Sequence, residues 1–307
     1  MKPLALLLAA ASLTALAQPS PVIRVNVRLV HMLATVKDRN GQPVTGLDKS
    51  AFHVFDNGAP QEISLFEPHT DQPLSVAVLI DVSGSTGIEL RYETTSVIRF
   101  LNALVREGNP ADAAALYSFN WRIANLSGGF TRRIASLELR LKNLKGDAGT
   151  SLYDALVYAA EDLEDRDGRH VIIVVTDGGD TTSSYDYHAA LRACHNADAV
   201  IYPVVVVPVK NDPGRNLGGE HALTTLAEGT GGRPFRPTVG DELDSAFGEI
   251  LRELRTQYLI GYYPKNLPYT KDRYHRVSVN VDRAGLRVVT RTGYYGDADE
   301  SGGRGTR

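Results

Sequence analysis

Three segments of this 307-residue chain are apolar at nearly every position, and they constrain its fold more than any other feature. They are Leu74–Ile80, Val171–Thr176 and Val200–Val207. A strand with one face in water alternates apolar and polar side chains, whereas a strand that is apolar throughout needs cover on both faces. Such strands are typical of a parallel sheet between two layers of helices.

The segments between these strands carry apolar residues at helical spacing, as Val97, Leu101 and Leu104 do. This alternation predicts an α/β fold with a doubly wound, mainly parallel sheet and helices on both faces. The predicted helices are Ile88–Arg106, a segment that starts at Leu152, Asp186–Ala197, Glu220–Glu228 and Glu242–Arg255, and Ala113–Phe119 is predicted as a further strand.

Strand patterns without helical spacing flank the α/β region on both sides. The N-terminal pattern covers Val22–Pro68, and the turn at Asn57-Gly58 predicts a hairpin between Phe52–Phe55 and Glu62–Phe66. The C-terminal pattern predicts strands at Tyr258–Tyr263, Tyr274–Val281 and Leu286–Arg291. Because a few strands bury little by themselves, we hypothesise that the two flanks pack into one small β-sandwich.

The first residues read as an export signal. Met1-Lys2-Pro3 is a short basic region, Leu4–Leu16 is apolar, and Ala15-Leu16-Ala17 fits a cleavage site before Gln18. We therefore expect an exported protein, periplasmic or extracellular. The predicted organisation is a signal peptide at 1–17, an N-terminal β region at 18–71, an α/β domain at 72–256, a C-terminal β region at 257–296 and a disordered tail at 297–307.

Composition excludes some functions. Charged residues make up 22% of the chain and the formal net charge is −3, so no global field favours nucleic acid. No segment after the signal is long and apolar enough to predict a transmembrane helix. Cys194, the single cysteine, excludes an internal disulfide and reads as a small buried residue.

Oxygen-bearing side chains follow the apolar strands. Asp81, Ser83 and Ser85 come directly after the first strand, Thr150 stands at a predicted helix start, and Asp177 follows the strand that ends at Thr176. Ligands of open parallel sheets bind at the carboxyl ends of the strands. Carboxylate and hydroxyl oxygens are hard donors that suit Mg²⁺. Three of these residues also have a plain alternative, because Asp81 and Thr150 could cap helices and Asp177-Gly178 could form a turn.

In this order, Asp81-Val82-Ser83-Gly84-Ser85, Thr150 and Asp177 resemble the metal-ion-dependent adhesion site of the von Willebrand factor type A (VWA) domain. The flanking segments resemble a secreted bacterial family, the VWFA-related acidobacterial domain proteins. The segments that carry this second resemblance are Gln42–Leu47, Phe52–Gly58, Tyr258–Tyr263 and Arg291–Tyr295.

The resemblance implies a Rossmann-like VWA fold and a bound Mg²⁺, or Mn²⁺ or Ca²⁺ in its place. Ser83 and Ser85 would be direct ligands, Thr150 a direct or water-mediated one, and Asp81 and Asp177 would balance charge largely through water. The implied partner is a protein or peptide that supplies an Asp or Glu carboxylate to the ion. No catalytic residue is implied.

Two other functions stay open on the sequence. One is a structural envelope scaffold that leaves the metal site unused. The other is a Mg²⁺-dependent hydrolase of the phosphatase type, with Asp81 as nucleophile. Such enzymes need a second acid two residues later, where this chain has Ser83.

Two residues near the same sheet edge each have two interpretations. Trp121 is either a partner contact or a partly buried core residue. Asp180 is either an outer acid of the site or a solvated loop residue.

Overall fold

The computed structural model describes residues 29–68, 71–84, 87–176, 179–206, 217–238, 240–267 and 273–296. Ser85, Asp177, the predicted signal peptide and the predicted tail at 297–307 lie outside these ranges. In chain order the strands are β1 (Val30–Lys37), β2 (Phe52–Asp56), β3 (Ala59–Gln61), β4 (Ile63–Pro68), β5 (Leu74–Asp81), β6 (Ala113–Phe119), β7 (Ile123–Asn125), β8 (Arg169–Thr176), β9 (Ala199–Val205), β10 (Tyr258–Tyr262), β11 (Tyr274–Val281), β12 (Arg287–Val289) and β13 (Gly293–Tyr295). The α-helices are α1 (Gly87–Glu107), α2 (Ile134–Leu141), α3 (Leu152–Glu164), α4 (Tyr187–Asn196), α5 (Leu217–Thr230) and α6 (Asp241–Arg255).

A five-stranded sheet in the order β7-β6-β5-β8-β9 forms the centre of the molecule. The pairs β6–β5, β5–β8 and β8–β9 are parallel, and only the short edge strand β7 is antiparallel. All eight residues of β5 are buried, as their apolar sequence predicts. The prediction of a mainly parallel, doubly wound α/β sheet is confirmed.

Helices cover both faces of this sheet, and alternate residues of β5 face each layer. Val76 and Val78 belong to a core shared with α1, α2 and α6. Ala77 and Leu79 belong to a second core shared with α3, α4 and α5. This arrangement explains why β5 has no polar face, since a polar side chain on either side would lose its water.

Strands from the two flanks form a β-sandwich, which confirms the hypothesis of one shared module. Its sheets have the orders β12-β1-β10-β4 and β13-β11-β2-β3. N-terminal β1 lies between C-terminal β10 and β12, and β11 pairs with β2. Apolar side chains of β1, β2, β10 and β11, such as Met32, Val54, Ile260 and Val277, fill one core between the sheets.

The predicted hairpin partner was wrong. Across the Asn57-Gly58 turn, β2 pairs with β3, with Val54 opposite Gln61. The chain leaves that sheet at Glu62, and β4 joins β10 in the other sheet. The apolar pattern of Glu62–Phe66 did not reveal this change of sheet, because residues of both sheets point into the same core.

Both connections between the sandwich and the central sheet lie at one end of the sheet. The chain enters β5 at Leu74, shortly after β4, and passes from α6 into β10 after Arg255. Arg169, at the start of β8, donates its backbone N–H to Pro73 O over 2.8 Å, so it lies at this end too. Eight residues of β5 span about 25 Å, which places the carboxyl ends of the strands far from the sandwich. None of the described helices is long and apolar enough to cross a membrane.

Candidate metal site at the carboxyl edge of the central sheet

Asp81 is the last residue of β5, and its buried carboxylate organises the loop that follows. Ser83 donates to Asp81 Oδ1 through its backbone N–H over 2.9 Å and through its hydroxyl over 2.5 Å. Thr176, at the end of β8, donates its hydroxyl to Asp81 Oδ2 over 2.6 Å. The carboxylate thereby fixes the relative positions of two strand ends and the loop.

Thr150 reaches the same point from a distant loop. Its hydroxyl donates to Ser83 Oγ over 2.7 Å, and both side chains are buried. Thr150 O accepts the backbone N–H of Thr181 over 2.8 Å, and Thr150 N–H donates to Thr181 Oγ1 over 2.9 Å. Asp81, Ser83 and Thr150 therefore lie together as predicted, joined by a chain of hydrogen bonds.

The loop before Thr150 is held against the loop after β5. Asp147 N–H donates to Val82 O over 3.1 Å, and Ser83 and Asp147 form a parallel bridge. Gly149 has a φ of +82°, a left-handed conformation that an L side chain rarely adopts. Ser151 N–H donates to Asn120 O over 2.7 Å, which fixes the start of α3 beside the end of β6.

The donor set suits a hard divalent cation. A hydroxyl has two acceptor lone pairs, and Ser83 Oγ uses one of them to accept the Thr150 hydroxyl, so Ser83 and Thr150 can each still offer oxygen to an ion. The carboxylate of Asp81 supplies the negative charge that Mg²⁺ requires nearby. No three His, Cys, Asp or Glu side chains of the described ranges are grouped as ligands.

Asp180 caps a helix. Its Oδ1 accepts Tyr153 N–H, in the first turn of α3, over 3.3 Å, and it also accepts the hydroxyl of Ser183. Sequence reasoning missed the neighbouring Asp154, whose carboxylate accepts the backbone N–H groups of Ser184 and Tyr185 over 2.8 to 3.0 Å. Asp154 was visible in the sequence as an acid in the first turn of α3, but no local signal indicated its contacts with this loop.

Trp121 lies exposed on the rim of the candidate site, with 47% of its surface accessible. Its Nε1–H donates to Asp147 Oδ2 over 3.2 Å, and the Arg122 guanidinium lies 3.9 Å from the ring centroid. The Ala148 backbone N–H and the Trp121 indole hold the pKa of Asp147 below its usual range. Trp121 is therefore not a core residue, and its contact with a partner stays a prediction.

The single cysteine lies in α4 and is fully buried, as predicted. Burial raises the pKa of its thiol to about 12, so the thiolate is scarce at neutral pH.

Residues 76–179 match the family model of the von Willebrand factor type A domain. This segment runs from β5 through the end of β8 and includes all five predicted site residues. The chain contains a VWA domain. The match covers about a third of the chain and leaves the sandwich strands outside it. The narrower resemblance to the acidobacterial family stays a prediction.

Several solved structures are similar to this chain at low identity. A proximal thread matrix protein from the mussel byssus has a TM-score of 0.50 at 13% identity, covering 65% of this chain and 49% of its own. BatB from Bacteroides thetaiotaomicron has a TM-score of 0.47 at 18% identity, covering 59% and 98%. The vWF domain of the pilus tip protein Mfa5 from Porphyromonas gingivalis has 0.46 at 16%, covering 58% and 94%. These likenesses concern the fold alone, and no curated protein matches the chain.

Proposed function

We propose that this protein is an exported binding module of the adhesion type. Its VWA domain would hold a divalent cation, Mg²⁺ first, through Asp81, Ser83, Ser85, Thr150 and Asp177. The ion would then engage an Asp or Glu carboxylate of a protein partner. The observation that carries the proposal is the buried hydrogen-bonded chain from Asp81 through Ser83 to Thr150.

Charge supports a docking role for the ion. Two carboxylates with three neutral hydroxyls leave a divalent cation electrophilic, because water and hydroxyl oxygens carry no formal charge. Mg²⁺ keeps several waters in most protein sites, and a carboxylate can replace one of them. A partner's Asp or Glu would complete the coordination shell and add the missing negative charge.

The rim supports a protein partner. Trp121 and Arg122 form an exposed aromatic and cationic pair beside Asp147, on the loop that holds Thr150 in place. Trp and Arg are enriched among residues that dominate protein interfaces. A binding role without catalysis fits the position two residues after Asp81, where Ser83 stands instead of a second acid.

A thermal-shift titration tests the metal site. Mg²⁺ and Mn²⁺ are added to the full chain, to Asp81→Asn and to Asp56→Asn. Asp56 is a matched control because its carboxylate is also buried, but it accepts Tyr262 and Tyr294 hydroxyls inside the sandwich. A cation at about 100 times its Kd stabilises the folded state by about 2.7 kcal/mol.

The expected result is a rise in Tm for the wild type and for Asp56→Asn, and none for Asp81→Asn. Equal rises in all three, or none in any, would reject the metal site. If Tm rises in none of the three proteins, a structural scaffold that leaves the metal site unused would be the favoured function. Turnover of a generic phosphate ester that needs Mg²⁺ and is lost in Asp81→Asn would instead favour the hydrolase.

A further inference from the structure

The two sheets of the sandwich are both open along one side. β3 and β4 are edge strands, and the chain crosses from one sheet to the other between them, at Glu62. β4 pairs with β10 on one side only, and β3 covers β2 only from Val54 onward. Among the described residues, no other strand lies along the outer edge of β4 or beside Phe52 and His53 on that side of β2. Two stretches of strand edge are therefore free to accept a further strand.

A cleft of about 730 Å³ opens between these two edges. We call it the edge cleft, and its apolar lining includes Phe52, Val54, Ile63 and Phe66. The rings of Phe52 and Phe66 lie 5.2 Å apart between centroids, and Phe66 is only half-buried. Since a cavity of about 150 Å³ accommodates benzene, the edge cleft has room for several aliphatic side chains.

Residues 22–29 carry a strand pattern that no strand of the described sandwich includes. Their sequence is Val-Ile-Arg-Val-Asn-Val-Arg-Leu, with apolar residues at 23, 25, 27 and 29 and polar residues at 24, 26 and 28. Such alternation is typical of a strand with one buried face. The described part of the chain starts at Leu29, so residues 22–28 lie outside it.

A straight extension of β1 would place this apolar face in water. Val30 and Met32 of β1 point into the sandwich core, and His31 between them is exposed. Leu29 lies on the same face as His31, and residues 23, 25 and 27 would follow on that face, because side chains alternate along a strand. Arg28 would then point toward the core. The apolar face therefore needs a sheet edge other than the end of its own strand.

The β4 edge of the same chain is too far away for this segment. β1 and β4 lie on either side of β10, so a strand added outside β4 would stand three strand spacings from β1. At about 4.8 Å per spacing the distance is about 14 Å, which takes about four extended residues. Counted back from Leu29, these are residues 25–28, so most of the alternating pattern would be used to cover the distance. The β4 edge of a second copy has no such limit.

Charge also favours a second copy as the partner. A strand along β4 with its apolar face toward the cleft carries Arg24 and Arg28 on its other face. Glu67 lies on the face of β4 opposite to Phe66, is partly exposed, and forms no ion pair with any described residue. Opposite charges on neighbouring strands stabilise their pairing.

We propose that residues 22–28 of one copy bind as an additional strand along β4 of a second copy. Ile23, Val25 and Val27 fill the edge cleft, and the backbone of the segment pairs with the open edge of β4. The contact joins two different surfaces, so reciprocal exchange closes a dimer and one-way addition builds longer assemblies. The proposal does not depend on the candidate metal site.

Sedimentation of the chain that starts at Gln18, the predicted mature form, tests the association. We expect a Kd on the order of 10 µM, because one added strand buries less surface than a standard interface. Val25→Asp should weaken association at least about tenfold, since it places a charge in the apolar cleft. Asn26→Asp adds the same charge to the opposite face of the segment and should change the Kd less than about threefold.

A peptide of residues 22–28 locates the contact. Added to the Val25→Asp chain, it should bind and shift the amide NMR signals of Phe52, Leu65 and Phe66. The same peptide with Val25→Asp should not bind, and a chelator should change neither result. Four outcomes would overturn the proposal: a monomer at every concentration up to about 1 mM, equal association of the two variants, a wild-type peptide that does not bind, or shifts away from the edge cleft.

Discussion

The hydroxyl of Thr150 donates to the hydroxyl of Ser83 over 2.7 Å, although 67 residues separate them in the chain. Ser83 in turn donates to Asp81 over 2.5 Å. Two loops that follow different strands are therefore joined by polar side chains, in a place where apolar packing could have joined them. Buried hydroxyls that bond mainly to each other and to a carboxylate suit a site that exchanges these contacts for an ion.

Replacing Thr150 by Val keeps the shape of the side chain and removes its hydroxyl. We expect the variant to lose at least about tenfold in Mg²⁺ affinity, because an oxygen ligand is gone, and to lose about 1 kcal/mol of stability without metal. Thr150→Ser keeps the oxygen and should bind Mg²⁺ nearly as the wild type does. Calorimetric titration measures the affinities, and urea unfolding measures the stability. Thr225→Val, on the exposed side of α5, is the control. A Val variant that binds Mg²⁺ as tightly as the Ser variant would remove Thr150 from the ligand set.

Trp121→Ala should weaken partner binding with little effect on folding. The side chain is 47% exposed, so its removal should cost about 1 kcal/mol or less in stability. We expect the loss in partner affinity to be larger than the loss in stability, because the side chain lies on the rim of the proposed metal site. Peptides selected by display on the Mg²⁺-loaded full chain provide the probe, and their affinity is compared with that for Tyr263→Ala. Tyr263 is similarly exposed but follows β10 in the sandwich. Equal losses in both variants would contradict a role for this rim.

Glu253→Gln should be strongly destabilising. Glu253 in α6 binds Lys37 Nζ of β1 over 2.6 Å, and both side chains are nearly fully buried. It also accepts the Nε–H of Arg233 over 2.7 Å. Burial, the largest influence, lowers the pKa of Lys37, which shows how far this ammonium is from water. Removing one member of a buried pair leaves an uncompensated charge and costs about 3–5 kcal/mol.

The exposed pair Lys142–Glu138 provides the matched control for this buried pair. Glu138→Gln should cost no more than about 0.5 kcal/mol, since water screens exposed pairs. Urea unfolding measures both changes. Similar costs for Glu138→Gln and Glu253→Gln would mean that the Lys37–Glu253 pair does not hold the sandwich to the VWA domain.

His195 should make the fold less stable in mild acid. Burial lowers its pKa in the folded state below the ordinary value of 6.5, so the unfolded chain binds more protons in that range. Stability is then fully present above pH 6.5 and falls as the pH drops toward the folded-state pKa. Urea unfolding between pH 5 and pH 7.5 should show a smaller slope for His195→Gln than for the wild type. His188→Gln, which alters an exposed histidine of the same helix, should keep the wild-type slope.

The central sheet was predictable because its chemistry is local. The run Val171–Thr176 is apolar at nearly every position, which indicates a strand with both faces buried. The helices between the strands follow the 3.6-residue spacing. The predicted grouping of Asp81, Ser83 and Thr150 followed from the rule that carboxyl ends of parallel strands share one edge. Ser85 and Asp177 stay predictions.

Pairings and contacts between segments far apart in the chain were harder to predict. Phe52–Phe55 faces the same core whether it pairs with β3 or β4, so alternation did not determine the hairpin partner. The short helix α2, with its burial of Ile134, Leu137 and Leu141, escaped notice because Arg133, at its N-cap position, gives no side-chain cap. The ion pair between Arg291 and Asp198 was not predicted, because the two residues lie far apart in the chain and neither belongs to a motif.

The order of the sandwich strands has a consequence for synthesis of the chain. β1 pairs with β10, so Val30 has no strand partner until Tyr262 has been synthesised. The whole central sheet emerges within that interval, from the ribosome or from an export channel, and domains fold in general as units. The VWA domain can therefore fold first, while β1 and β2 still have open edges. Closing so long a loop is slow, and unpaired strand edges can pair with other chains. A chaperone that shields residues 30–61 in this interval would raise the yield of folded protein more than one that acts on the finished chain.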